Sequence, residues 1–205
     1  MTKEAYIEKI IQSEWMAFDQ VKNKDGRASC QDDWDTFSIM RKSQYLVWPL
    51  SLLESYYQDI SSAEQTGRNL IMEKYARMME STAPQEYKEL EAQLPPLSEE
   101  CKRMINEMVS IQTAWMEEFA LRYPRLASQA RVIHSSEDSL NRTSYETYLR
   151  GELSTYSEHT LLAYGRFIVE RFQKGGNLAE EIMEQTVRLY GYHTLEEAEH
   201  SCLQN

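Results

Sequence analysis

A chain of 205 residues, 41% of them hydrophobic and including 13 Tyr and 4 Trp, can bury a core without staples and is too apolar to be disordered. Its net charge of −11 sets it against phosphate backbones and anionic lipid, and no stretch approaches a membrane span. Cys30, Cys101 and Cys202 lie far apart, with no paired-cysteine zinc spacing and no disulfide framework, which fits a reducing cytoplasm.

Scarce Gly and Pro, few β-branched runs and abundant Glu, Leu, Met, Ala, Gln and Arg predict an all-helical fold. The opening MTKEAYIEK reads as a charged helix rather than a secretion signal. That helix is expected from about Lys3 to Val21, with Tyr6, Ile7, Ile10, Ile11, Trp15 and Phe18 on one side. KNKDGRASCQDD is a turn-rich loop. A second helix runs from Asp33 to about Tyr45, and a third starts near Trp48–Pro49, where proline suits a first turn, and ends by Gly67. NLIMEKYARMME is a fourth helix. TAPQEYKELEAQLPP holds a short helix and a stop, and the Pro95–Pro96 pair is the best boundary in the chain.

Ser98 is the expected cap of the next helix, which carries Met104, Met108, Ile111, Trp115 and Phe119. A long loop, YPRLASQARVIHSSEDSLN, follows. Then come SYETYLRGEL, SEHTLLAYGRFIVERF, NLAEEIMEQTVRLY and a last helix opened by the capping box Thr194-x-x-Glu197.

Two stretches lie over one another without a gap: DDWDTFSIMRKSQY and TSYETYLRGELSTY. Trp34 meets Tyr145, Phe37 meets Tyr148, and Ser43 meets Ser154. Asp32 and Thr143 fall at expected N-caps, each with an acid three residues on. The following helices end in TGRNL and KGGNL, and Trp15 and Trp115 sit midway along each opening helix. The reading is an internal duplication, residues 1–96 and 97–205, with two helical repeats packed about a pseudo-twofold axis as one compact domain.

The stretches GRASCQDDWDTFSIMRKSQY, GRNLIMEKYARMMESTAP, SSEDS, TSYETYLRGELSTYSE and NLAEEIMEQTVRLYGY resemble an uncharacterised bacterial family, catalogued as domain of unknown function 4125, over nearly the whole chain. The resemblance implies a bacterial, cytosolic protein. It carries over no activity and no residue roles.

Candidate site residues come from the aromatic face of the second helix. Trp34, Phe37, Arg41, Gln44 and Trp48 share that face, and the duplication maps them onto Tyr145, Tyr148, Glu152, Thr155 and His159. If the copies meet near an axis, Arg41 and Glu152 approach each other within a ring of aromatics. One reading is a buried ion pair fixing how the copies dock, since either charge buried alone is costly. The other is a small-ligand pocket between the copies, with Arg41 binding an anion beside Tyr45, Tyr148 and Tyr156. Gly151, a glycine inside a helix, marks close approach of a backbone or a ligand.

No cofactor or metal is expected. Glu197-x-x-His200 has di-iron spacing but stands alone near a terminus, and Cys30 is crowded by acids that disfavour a thiolate. Phosphate loops and nucleophile elbows are missing, and the Met-rich stretches read as core filler. A protein-interaction module, using the YPRLASQARVI segment or an exposed apolar patch, is the alternative, and monomer and homodimer stay open.

Overall fold

The computed structural model describes residues 1–22 and 26–202, so residues 23–25 of the expected first loop lie outside the described residues. Regular structure among the described residues is helical apart from a single bridge between Ser139 and Arg142. No described helix is long and apolar enough to cross a membrane.

The first helix, α1 (Lys3–Asp19), is capped by Thr2 and buries Ile7, Ile10, Ile11, Glu14 and Phe18 along one stripe. Then come α2 (Trp34–Leu46), α3 (Leu50–Gln65), α4 (Leu70–Thr82) and the short α5 (Pro84–Leu90). After Pro95–Pro96 the long α6 (Glu99–Arg122) begins, with the Ser98 hydroxyl accepting from the Cys101 amide as expected. The short α7 (Pro124–Ser128) interrupts the expected long loop, because Pro124 opens a turn whose free amides, Arg125 N and Leu126 N, are taken by the Glu199 carboxylate. The chain closes with α8 (Tyr145–Leu153), α9 (Glu158–Gln173), α10 (Leu178–Leu189) and α11 (Leu195–Ser201).

Two caps fall one residue later than the sequence suggests. Asp33, not Asp32, caps α2, and Ser144, not Thr143, caps α8. In each case the residue that caps is the one whose oxygen reaches the amide three residues on, Thr36 and Thr147. The glycine stops behave as their spacing suggests. Gly67 and Gly175 take φ +70° and +68°, and the next amides, Arg68 N and Gly176 N, reach back to Ala63 and Arg171 carbonyls.

Packing interleaves the early and late helices. Helix α1 lies against α2, α3 and α4, and α6 lies against α8, α9 and α10. Helix α4 packs on α8, α10 packs on α2, and α3 packs on α9. The core between them is aromatic: Trp48 lies 5.0 Å from Tyr45 and 5.4 Å from Tyr164, ring centre to ring centre, and Tyr56 lies 4.9 Å from Tyr156. A smaller core joins Phe119, Val187, Leu195 and Ala198 at the far end of α6.

Gly151 sits where α8 crosses α4. A Cβ there would stand 2.8 Å from Met78 Cγ and 3.0 Å from the Lys74 carbonyl oxygen, so the close approach is to a neighbouring helix.

Candidate functional site

Arg41 is 5% exposed and lies between two carboxylates. Its Nε donates to Glu14 Oε2 at 2.8 Å, one terminal nitrogen donates to Glu14 Oε1 at 2.5 Å, and the other donates to Glu152 Oε2 at 3.0 Å. The expected meeting of Arg41 and Glu152 is therefore present, across 111 residues of sequence. Gln44 completes the arrangement, accepting from Arg41 at 2.9 Å and donating to Glu152 at 3.0 Å.

Each carboxylate has further donors. Glu14 Oε1 accepts from the Tyr45 hydroxyl at 2.7 Å and the Tyr56 hydroxyl at 2.8 Å. Glu152 accepts from the Tyr156 hydroxyl at 3.2 Å and from Lys74 Nζ at 3.4 Å. The formal charges of Arg41 and Lys74 balance those of Glu14 and Glu152. That is the condition for burying four charged groups, because each ion's desolvation is repaid only through close partners.

The protonation preferences follow. For Glu152, burial pushes the pKa up, but Arg41 and Lys74 together outweigh it and hold the carboxyl at about 2, against the ordinary 4.5. For Arg41 and Lys74, burial disfavours the charge and the facing acidic groups more than restore it, so both lie above their ordinary values. Burial pushes the Tyr45, Tyr56 and Tyr156 hydroxyls well up, so all three stay neutral and donate.

The network reaches solvent at the seam between α4 and α8. Arg41, Lys74, Glu14 and Glu152 are buried, whereas Gln44 and Tyr148 are half-buried. Lys74 Nζ donates to the Tyr148 hydroxyl at 2.8 Å and lies 4.2 Å from that ring's centre. The exposed Arg131 guanidinium lies 4.7 Å from the same ring centre, and the Tyr75 ring stands 5.4 Å from Lys74 Nζ. One of the two cations around this tyrosine, Lys74, is buried and paired with Glu152, and the other, Arg131, is exposed. A hollow of about 270 Å³ between α1, α3 and α4 touches Glu14, and Arg41 and Glu152 do not line it.

Three predicted residues stand apart from the network. Trp34 is 41% exposed and meets the Trp15 ring edge-on at 5.4 Å. Thr155 is buried, but its hydroxyl donates to the Glu152 carbonyl of its own helical turn. His159 is exposed on the first turn of α9. Projecting one helical face from Tyr145 to His159 assumed a continuous helix. In fact α8 stops at Leu153 and Ser157 caps a new one, so helical register does not carry across.

Glu14, Lys74 and Tyr56 were not read as site residues. A signal was there for the first two: each is a charge at the apolar register of its helix, Glu14 amid Ile7, Ile10, Ile11 and Phe18, and Lys74 amid Leu70, Ile71 and Met78. Glu197 turns its carboxylate back to the His193 amide at 2.7 Å. Among the described residues no group of three or more His, Cys, Asp or Glu side chains could hold a metal ion.

A family model described as a protein of unknown function, DUF4125, matches residues 4–200. No curated protein and no solved structure matches the chain.

Proposed function

We propose that this chain, which belongs to the DUF4125 family, is a cytoplasmic bacterial binding protein made of two ancestral helical copies, residues 1–96 and 97–205, that holds a small anionic or aromatic ligand at the seam between them.

Matched hydrogen bonds support the duplication. Asn69 caps α4 and donates to the Ala17 carbonyl at 2.8 Å, and Asn177 caps α10 and donates to the Trp115 carbonyl at 2.9 Å. Tyr56 of α3 donates to Glu14 of α1, and Tyr164 of α9 donates to Gln112 of α6. These pair position 14 with 112 and 17 with 115, so Trp15 and Trp115 are not counterparts, and Thr113 answers Trp15. The exchanged contacts, α4 on α8 and α10 on α2, are those a twofold relation produces.

The observation that carries the ligand reading is Tyr148. It is half-buried at the seam, with Lys74 and Arg131 beside its ring and the buried network behind it. An aromatic anion packs against such a ring and pairs with the exposed Arg131 guanidinium. The test is thermal unfolding with 4-hydroxybenzoate, indole-3-acetate, inorganic phosphate or AMP, on the parent chain and on Arg131→Ala and Tyr148→Ala. A saturating ligand, at about a hundredfold its Kd, adds roughly 2.7 kcal/mol. Stabilisation of the parent and not of the variants supports the site. Silence across the set, or stabilisation that survives both substitutions, overturns it.

Protein docking is the second reading. Leu162, Val169 and Phe172 stand exposed along one side of α9, and an apolar stripe open to water is a feature by which helices recruit partners. Light scattering that reports a monomer at every concentration, unaltered by Phe172→Lys, removes self-association by that stripe.

A further inference from the structure

A second hollow, of about 340 Å³, opens between α6 and α8, away from the Arg41 network. Its lining is mostly polar, broken by Val109 and Ala114, and carries both charges. Thr113 lines it, is 9% exposed, and its hydroxyl is buried with no hydrogen-bond partner among the described residues. An unsatisfied buried hydroxyl is costly. Arg150 lies along one side, with one terminal nitrogen on Asn106 and the other 3.3 Å from Glu146. Glu117 stands opposite on α6, 2.9 Å from His134 Nε2. Glu146 is fixed at its base by the Ser135 amide at 2.9 Å.

We infer that the hollow between α6 and α8 binds a small zwitterion, a free α-amino acid in its simplest form, with the carboxylate on Arg150 and the ammonium on Glu117 and Glu146. The chemistry follows from the lining. A simple anion meets two glutamates there, and a simple cation meets an arginine. A molecule carrying both charges a few ångströms apart satisfies both sides. Burial alone pushes Glu146 up, but its hydrogen bonds from the Ser135 amide and Arg150 more than offset this, so it lies below the ordinary carboxylate range and stays ionised.

The comparison between the halves adds a second argument, and this one rests on the duplication. Position 113 answers Trp15, whose indole fills the groove between α1 and α2 against Trp34 and Phe37, 5.4 and 5.0 Å away. Position 150 answers Ile39. One half thus sets an indole against two further rings in this groove, and the other has Thr113 and Arg150 lining a hollow there.

The experiment is a two-dimensional amide NMR titration of the full chain with glycine, L-serine, L-glutamine and L-leucine. Propionate and propylammonium serve as controls carrying one charge each. At least one amino acid is expected to move amides in α6 around Thr113, in α8 around Arg150 and near His134, and neither control is expected to do so. Arg150→Gln, which loses the cation at little cost in volume, weakens that response about tenfold or more. Thr113→Trp, which sets an indole there, abolishes it. If Thr113→Trp fails to fold, Arg150→Gln decides alone. No response to any amino acid, equal responses to the controls, or an affinity unchanged in Arg150→Gln overturns the proposal. An anionic aromatic ligand at Tyr148 moves amides around Lys74 and Arg131 instead, so failure of one site is read separately from failure of the other.

Discussion

Replacing Arg41 with methionine keeps much of the side chain's volume and removes a charge that two buried carboxylates share. Glu14 loses both of its guanidinium hydrogen bonds and keeps two tyrosine hydroxyls, and Glu152 keeps Lys74, Gln44 and Tyr156. Breaking a buried pair from one side costs about 3–5 kcal/mol, because the remaining charge has no way back to water. For a chain of this length each kcal/mol shifts the midpoint by about 2–4 °C, so Arg41→Met melts roughly 10 °C below the parent at neutral pH. The pH dependence separates charge from packing. In the parent, Glu152 titrates at about 2 when folded and near 4.5 when unfolded, so its contribution is complete above 4.5 and lost as pH falls toward 2. That contribution amounts to roughly 3 kcal/mol at about 1.4 kcal/mol per pH unit. Without Arg41 the folded Glu152 carboxyl protonates more readily, which relieves the variant in the same range. Urea titrations at about pH 7 and about pH 3 should therefore show a large gap between parent and variant that narrows in acid. A loss of similar size at both pH values would mean that Arg41 acts through packing and would refute the charge argument.

Gly151→Ala gains about 1 kcal/mol in helix propensity but drives a methyl against Met78 and the immovable Lys74 carbonyl. A net loss of about 1–3 kcal/mol in denaturant unfolding is expected, and a gain would mean α4 and α8 part more easily than their packing implies. Tyr56→Phe removes one donor to Glu14 and should cost about 1.5–3 kcal/mol, read by thermal unfolding at neutral pH. Asn69→Ala and Asn177→Ala each lose a cap and a tie to the opening helix, at about 1–2 kcal/mol apiece. Asn69→Asp keeps the cap acceptor but has no amide to donate to the Ala17 carbonyl, so it should not recover the whole loss.

Much of the site was legible because charge and helical register can be read together. Arg41 stands at a position whose neighbours demand burial, and Glu152, the acid set opposite it when the two stretches are laid over one another, was its natural partner. Lys74 and Glu14 obey the same logic, yet periodicity says only that a charge points inward and not what it meets. His159 falls off the face of Glu152 because register holds within a helix and fails across a break. The caps at Asp33 and Ser144 were missed by one residue because adjacent hydroxyls and carboxylates compete for the same amides, and the path of the chain into the helix decides between them.

The sequence by itself determined that the chain is helical, where its helices stop, and which stripes turn inward, since these depend on interactions over three or four residues. Only the tertiary structure decided which buried charge answers which, that Tyr148 stands where the network meets water, and that Thr113 lines a hollow while Trp15 packs on two rings. Those features depend on distances between helices far apart in the chain, and a local pattern carries no measure of the space between them.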